Sequence, residues 1–229
     1  MASISILHKT NGYYIDTKHP IIIENLMGIK RRNGSNQKGK KPLLINNLKT
    51  LIKVIDESKE KDKRKIRDKA LLLIGFSGGF RRSELVDIEY DDLEFVSEGV
   101  KIFVKKSKTD QSGEGMTKAI PYFDNENFCP VKALKKWIEI IDFKKDKIFN
   151  ISDRNVALII KKYAYKAGLD GYKYAGHSLR SGFATSTAES GAEERNIMAM
   201  TGHKSTEMVR RYIKEANLFK NNALNKIKI

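Results

Sequence analysis

From Leu44 to Ile213 the apolar residues recur mostly three and four apart, with one interruption, and that change of period sets the fold class. Leu44, Leu48, Leu51, Ile52 and Ile55 share a face of a helix at 45–57, because 3.6 residues per turn bring such positions together. A second helix over about 62–77 ends in the apolar run Ala70 to Phe76 and is broken by Ser77-Gly-Gly79; Arg82 to Val86 starts a short one. The interruption holds three stretches of β-type composition: Leu93 to Val96, Val100 to Lys105 and Thr117 to Ile120. Gly99, Gly113 and Gly115 supply the turn signals between them. Helical spacing then returns. Pro130 sits in a first turn, followed by the stripe Val131, Leu134, Trp137, Ile138 and Ile141. Ser152-Asp153 cap a helix running to about Ala167 and stopped by Gly168. Further helices are expected over 177–190, 193–200 and 205–213. The fold class is therefore mainly α with a small antiparallel β-sheet, an α+β arrangement.

Charge narrows the partners. Forty-four Lys and Arg against 28 Asp and Glu leave a formal +16, with an isoelectric point near 9.7. Such an excess favours a polyanion, since cations that neutralise phosphates release condensed counterions. Abundant Lys, Ile and Asn also fit a chain encoded by an AT-rich genome, so charge alone does not decide the matter. The most basic segment is Lys30 to Pro42, with six basic residues and no apolar periodicity. It reads as an extended interdomain linker over 30–42 that tracks DNA, with a solvated loop as the plain alternative. One cysteine, Cys129, excludes an internal disulfide and a multi-cysteine metal site. No apolar run is long enough to span a bilayer, and Met1 to His8 lacks the pattern of a secretion signal, so the expected location is cytoplasmic.

Four separated signals carry chemistry. They are Gly79-Phe-Arg81-Arg-Ser-Glu84-Leu85, Ser107-Lys108-Thr109 on the expected hairpin, His177-Ser-Leu-Arg180, and Thr201-Gly-His203 with Tyr212 nine residues after that histidine. Each alone has a bland reading. Tyr212 fits a core aromatic, Lys108 a solvated charge, His203 a helix cap, and His177 with Arg180 a structural pair. Glu84 fits a buttress for an arginine or for the start of a helix, and Trp137 and Phe128 fit a core better than base stacking. Co-occurrence in this order overturns the bland readings.

The ordered set resembles the tyrosine recombinase family, which includes phage and conjugative-element integrases. The resemblance runs from about Lys41 to Ile213 and implies the catalytic-domain fold of that family. A phosphodiester gains negative charge on its non-bridging oxygens as it is attacked, and two planar, permanently charged guanidiniums suit that charge. Arg81 and Arg180 are the candidates; chemistry alone would allow Arg82, and the register of the family motif selects Arg81. Arg180 follows His177 by three residues, so a helix presents both on one side. Tyr212, with an ordinary pKa of about 10, needs a base and nearby cations before it can attack. The resemblance implies that His177 helps accept its proton, that His203 hydrogen-bonds the phosphate and that Lys108 protonates the leaving 5′-oxygen. It further implies a 3′-phosphotyrosine intermediate, with no metal or cofactor.

The resemblance also implies double-stranded DNA at an attachment site as partner, a monomer in solution and a homotetramer on DNA. Residues 1–29 match only the last part of an amino-terminal core-binding domain, so the chain reads as shortened at that end. The catalytic domain is expected over 43–213. A tail over 214–229 carries an apolar face, including Leu218, Phe219, Ala223, Leu224 and Ile227, that would dock on a neighbouring protomer. Candidate DNA contacts are Lys30, Arg31, Arg32, Lys40, Lys41, Lys106 and Lys204. Two rival functions remain at this point. One is a non-catalytic DNA-binding remnant. The other is a type IB topoisomerase, disfavoured because those enzymes typically carry Lys where this chain has His177.

Overall fold

The computed structural model describes residues 2–34, 39–105, 114–141, 147–203, 205–217 and 223–227. The chain divides into two units, Met1–Gly39 and Lys40–Ile229. The first contains helices α1 (Ala2–Thr10) and α2 (Pro20–Asn33), the latter with proline in its first turn and no buried residue. Ile4, Leu7, Ile21, Ile23 and Met27 are exposed on it.

This unit corrects two expectations. Helix α1 was not anticipated, because its apolar residues are few and its start lacks a capping signal. The extended linker does not begin at Lys30: Lys30, Arg31 and Arg32 form the last turn of α2. Cations there face the negative end of the helix dipole, which helps the helix run further than apolar periodicity alone indicates. Lys40 to Leu44 lack regular structure, as a linker would, but they lie along the second unit. Lys41 N donates to Lys173 O at 2.7 Å and Leu43 N to Ser178 O at 2.9 Å.

In the second unit, α3 (Ile45–Glu57) buries Leu48, Leu51, Ile52 and Ile55, the face its spacing specifies. Helix α4 (Asp62–Ser77) is buried continuously from Ala70 to Ser77, so it runs through the core rather than along the edge. Full burial of a Leu or Ile side chain is worth about 1.5–3 kcal/mol, which makes this helix the main apolar contributor. After α5 (Arg82–Val86) come β1 (Leu93–Phe95), β2 (Gly99–Val104) and β3 (Met116–Pro121). They form an antiparallel sheet in the order β1-β2-β3, with Leu93 opposite Ile102 and Val104 opposite Met116.

Helix α6 (Pro130–Ile140) buries Val131, Leu134 and Trp137, and the indole N–H donates to Ile148 O at 2.8 Å. Helix α7 (Asp153–Lys166) is capped as expected by the Ser152 hydroxyl, which accepts from Asn155 N at 3.3 Å. Its Tyr163 donates to the buried Asp68 carboxylate of α4 at 2.9 Å, and Arg67 pairs with the same carboxylate. Helices α8 (His177–Glu189), α9 (Glu194–Thr201) and α10 (Thr206–Asn217) complete the unit. The expected hairpin tip and most of the expected tail face lie outside the described residues; Leu224 and Ile227 are exposed.

Helix α8 is buried from Ser178 to Ser186, and Gly182 explains how the incoming chain fits against it. A Cβ at Gly182 would stand 2.0 Å from Leu43 O, a backbone atom that cannot rotate away. We expect Gly182→Ala to destabilise the domain by about 1–3 kcal/mol or more, read as a lower urea midpoint. A neutral substitution would mean that the strand before α3 does not sit on α8.

Candidate active site

Two glycines end α4 and turn the chain. Gly79 has φ +54, in the left-handed region, and a side chain there would come within 2.9 Å of Phe183 and 3.2 Å of Thr201. Glycine is thus required by conformation and by space. Two residues on, Arg81 caps α5. Its backbone N–H donates to Glu84 Oε2 at 3.0 Å, and its Nη1 donates to Glu84 Oε1 at 2.6 Å. Glu84 therefore buttresses both the arginine and the helix start, as its sequence position suggested. Arg82 turns away, half exposed, and pairs with Asp153 at 3.1 Å. The choice that chemistry alone left open falls geometrically to Arg81.

Arg180 comes from the middle of α8 and is 0% exposed. Its Nη1 donates to Gly79 O at 2.9 Å, whereas Nε and Nη2 have no hydrogen-bond partner among the described residues. A buried guanidinium with two unmatched nitrogens is costly, and such groups mark a place for an anion. Burial, reinforced by Arg81, brings its pKa down to about 10, with Glu84 and Tyr212 acting in the opposite direction. It stays charged at neutral pH.

His177 opens α8, three residues before Arg180. Burial first, then the charges of Arg180 and Arg81, hold its pKa below the ordinary histidine value. His203 follows Gly202, which ends α9 with φ +64. Burial, then Arg180 and Arg81, with smaller effects from His177 and Lys118, bring His203 down to about 4. Both imidazoles are therefore neutral at pH 7 in the unliganded site. Thr201 Oγ1 lies 2.8 Å from His203 Nδ1 and donates to Ile197 O at 2.6 Å. With the single hydroxyl proton used in that second bond, Nδ1–H is the donor to Thr201, which leaves the Nε2 lone pair open.

Tyr212 is 8% exposed on α10, in a small cluster with Ala184, Ala188, Ile197 and Val209. Its ring centroid is 6.3 Å from that of His203, and its oxygen acts electrostatically on Arg180. The hydroxyl thus lies within electrostatic reach of Arg180 while the ring packs in the interior. Arg81, His177, Arg180, His203 and Tyr212, separated by up to 131 positions in sequence, are brought together. Lys108 lies outside the described residues, as do Lys106 and Lys204. Lys30, Arg31, Arg32, Lys40 and Lys41 are exposed, and Lys40 Nζ donates to Tyr172 O at 2.6 Å.

Two residues around the site were given no role from the sequence. Thr201, which orients His203, was read only as the start of the Thr201-Gly-His203 signal. Lys118 carried a signal of its own. The alternation Met116, Lys118, Ile120 puts a lysine on the face that also holds Ile120, and inward lysines are rare.

A family model described as the phage integrase family matches residues 42–218. The chain belongs to that family. It is 44% identical over 229 residues to an integrase/recombinase xerD homolog of Selenomonas ruminantium, an alignment covering 95% of this chain and 66% of the relative. Against tyrosine recombinase XerA of Pyrococcus horikoshii the identity is 26%, covering 82% of this chain and 62% of the relative. The chain thus spans just under two thirds of each of these relatives. Among solved structures, the XerH site-specific recombinase bound to palindromic difH substrate, a post-cleavage complex, superposes with TM-score 0.63 at 20% identity. That match covers 80% of this chain and 54% of the other. Crystalline XerA recombinase gives 0.62 at 19% identity, covering 100% and 74%. The integrase fold expected from the sequence is the one observed.

Glu84 gives the site a dependence on pH. Burial alone would raise its carboxyl; Lys118, the Arg81 amide and the Arg81 guanidinium outweigh burial and hold it below 4.5. Because the folded value is the lower one, the stabilisation is complete above the unfolded value and is lost as pH falls through the folded value. Glu84→Gln should cost on the order of 2 kcal/mol or more at pH 7, since it leaves buried cations uncompensated. Urea titrations should show the gap from wild type closing as pH drops below 4.5. A gap unchanged at pH 3 would exclude the ionised carboxylate as its source.

Proposed function

We propose that this chain is the strand-cleaving and strand-rejoining part of a site-specific DNA recombinase, with Tyr212 as nucleophile. One observation carries the proposal. The fully buried Arg180 keeps Nε and Nη2 unmatched beside Arg81, two neutral histidines and the Tyr212 oxygen, so the cluster offers donors suited to an anion with a nucleophile beside them. A DNA phosphodiester supplies that anion.

In this reading the Tyr212 oxygen attacks phosphorus and the bond to the 5′-oxygen breaks, forming a 3′-phosphotyrosine. The phenolic proton passes to His177, which its surroundings keep neutral and able to accept it. Arg81 and Arg180 hold the non-bridging oxygens as charge builds on them. The anion that fills the site also favours protonation of His203, whose Nε2 then donates to the phosphate. Lys108 gives a proton to the departing 5′-oxygen. A 5′-hydroxyl from another strand reverses the sequence, so the phosphoester bond is exchanged rather than hydrolysed.

The exposed Lys30, Arg31, Arg32, Lys40 and Lys41, with Lys106 and Lys204, are proposed to contact duplex phosphates. Assembly into a homotetramer on DNA, with residues 214–229 docking in trans, and a cytoplasmic location complete the proposal. Residues 1–29 are assigned to the end of a core-binding domain, and 43–213 to the catalytic domain.

The test uses a pool of duplexes of randomised sequence in which sulfur replaces the bridging 5′-oxygen. A thiolate leaves without a proton and rejoins poorly, so covalent protein–DNA adducts accumulate. Wild type should form an adduct, and Tyr212→Phe none. No adduct from wild type on this pool would favour a DNA-binding remnant. Relaxation of supercoils without joining to a second duplex would favour a topoisomerase.

The same pool isolates Lys108. On ordinary DNA, Lys108→Ala should cleave ~10²–10⁴-fold more slowly. On the sulfur-bridged pool it should approach the wild-type rate. An equal loss on both substrates would remove Lys108 from the role of general acid.

A further inference from the structure

Lys118 belongs to none of the sequence motifs, yet it is the one lysine among the described residues with no exposed surface. It projects from β3 into the interior beneath the site. Placing an ammonium there is unfavourable by several kcal/mol unless its protons are matched. They are matched in a specific way. Nζ donates to Gly78 O at 2.7 Å and to Met200 O at 2.7 Å, and stands 3.8 Å from Glu84 Oε2. The same nitrogen lies 4.4 Å from the centroid of the Phe80 ring.

The two carbonyls belong to different active-site segments. Gly78 leads into the turn that carries Arg81, and Met200 leads into the turn that carries His203. The two carbonyls are 122 positions apart in sequence and meet at this nitrogen. A methionine would fill the volume and leave both carbonyls unmatched. A lysine satisfies both and, in doing so, fixes the distance between them.

We infer that Lys118 is a positioning residue that ties the Arg81 turn to the His203 turn, so that both reach one phosphate together. The inference rests on the strand-cleaving reading above and deepens it. Its nitrogen is taken up by the two carbonyls and Glu84. The charged and titratable groups around it are Glu84 and Arg81 at the start of α5, Arg180 on α8 and His203 beyond α9. Burial, with Arg180 and Arg81, brings its own pKa down to about 7 against the pull of Glu84. An anion between the two arginines would offset their repulsion and strengthen the tie when it is needed.

The experiment compares the full 229-residue wild type with Lys118→Met and Lys118→Arg. Adduct formation is timed at saturating concentrations of the sulfur-bridged pool, binding is measured on the unmodified pool, and His203 is titrated by imidazole NMR. Lys118→Met should bind duplex within about threefold of wild type, since affinity comes mainly from surface phosphate contacts. Its adduct formation should slow by roughly tenfold to a hundredfold, as expected when reacting groups are displaced by about an ångström. Lys118→Arg, which keeps charge and donors, should recover part of that rate. His203 in Lys118→Met should titrate above the wild-type value of about 4, because it loses a neighbouring charge and a fixed turn.

An adduct rate in folded Lys118→Met equal to wild type overturns the inference. Should that variant not fold, Lys118→Gln, uncharged and one atom too short to bond both carbonyls at once, is read by the same criteria. If wild type itself forms no adduct, the strand-cleaving reading fails separately. The His203 titration then still decides: an unchanged curve in the variant excludes the positioning role.

Discussion

The bond from Arg180 to the Gly79 carbonyl is the constraint around which the rest of the second unit is arranged. It passes through the interior from the middle of α8 to the turn after α4, joining the two most buried helices. It fixes one edge of the guanidinium and leaves the other edge open. Gly79 must be glycine so that its carbonyl can face the arginine while Phe183 and Thr201 close over the turn. Much of the local packing exists to hold a cation where a protein interior would otherwise exclude one.

Holding that cation has electrostatic consequences for its neighbours. Burial, reinforced by the positive field of Arg180 and Arg81, keeps both histidines neutral, and Glu84 limits the repulsion by pairing with Arg81.

Helices whose apolar spacing was regular were legible from sequence almost to the residue: α3, α4 and α7 begin or end where capping and glycine signals put them. The sheet was legible because its period changes to two between Leu93 and Ile120. Helix α1 was hidden by the lack of a cap and the helical continuation of Lys30 to Asn33 by a run of like charges, since neither has an apolar period. In the site, five residues could be named because the motif order is distinctive, and Arg81 could be preferred to Arg82 only through that order. Lys118 was given no role from the sequence, because it lies outside the four motifs. Its meaning depends on which carbonyls lie across from it, and those come from segments far apart in the chain.

The strand that leads into the second unit is bonded along the helix that carries His177 and Arg180. Lys41 and Leu43 donate to the residues at and just before its start, Ile45 donates to Ser186 Oγ further along, and Gly182 lets Leu43 lie directly against the helix backbone. A pull or twist on this segment is consequently delivered to the turn at 171–173 and to this helix. Arg180 thus sits at the end of a short mechanical lever, through which a load on residues 40–45 has a direct route to the open edge of its guanidinium.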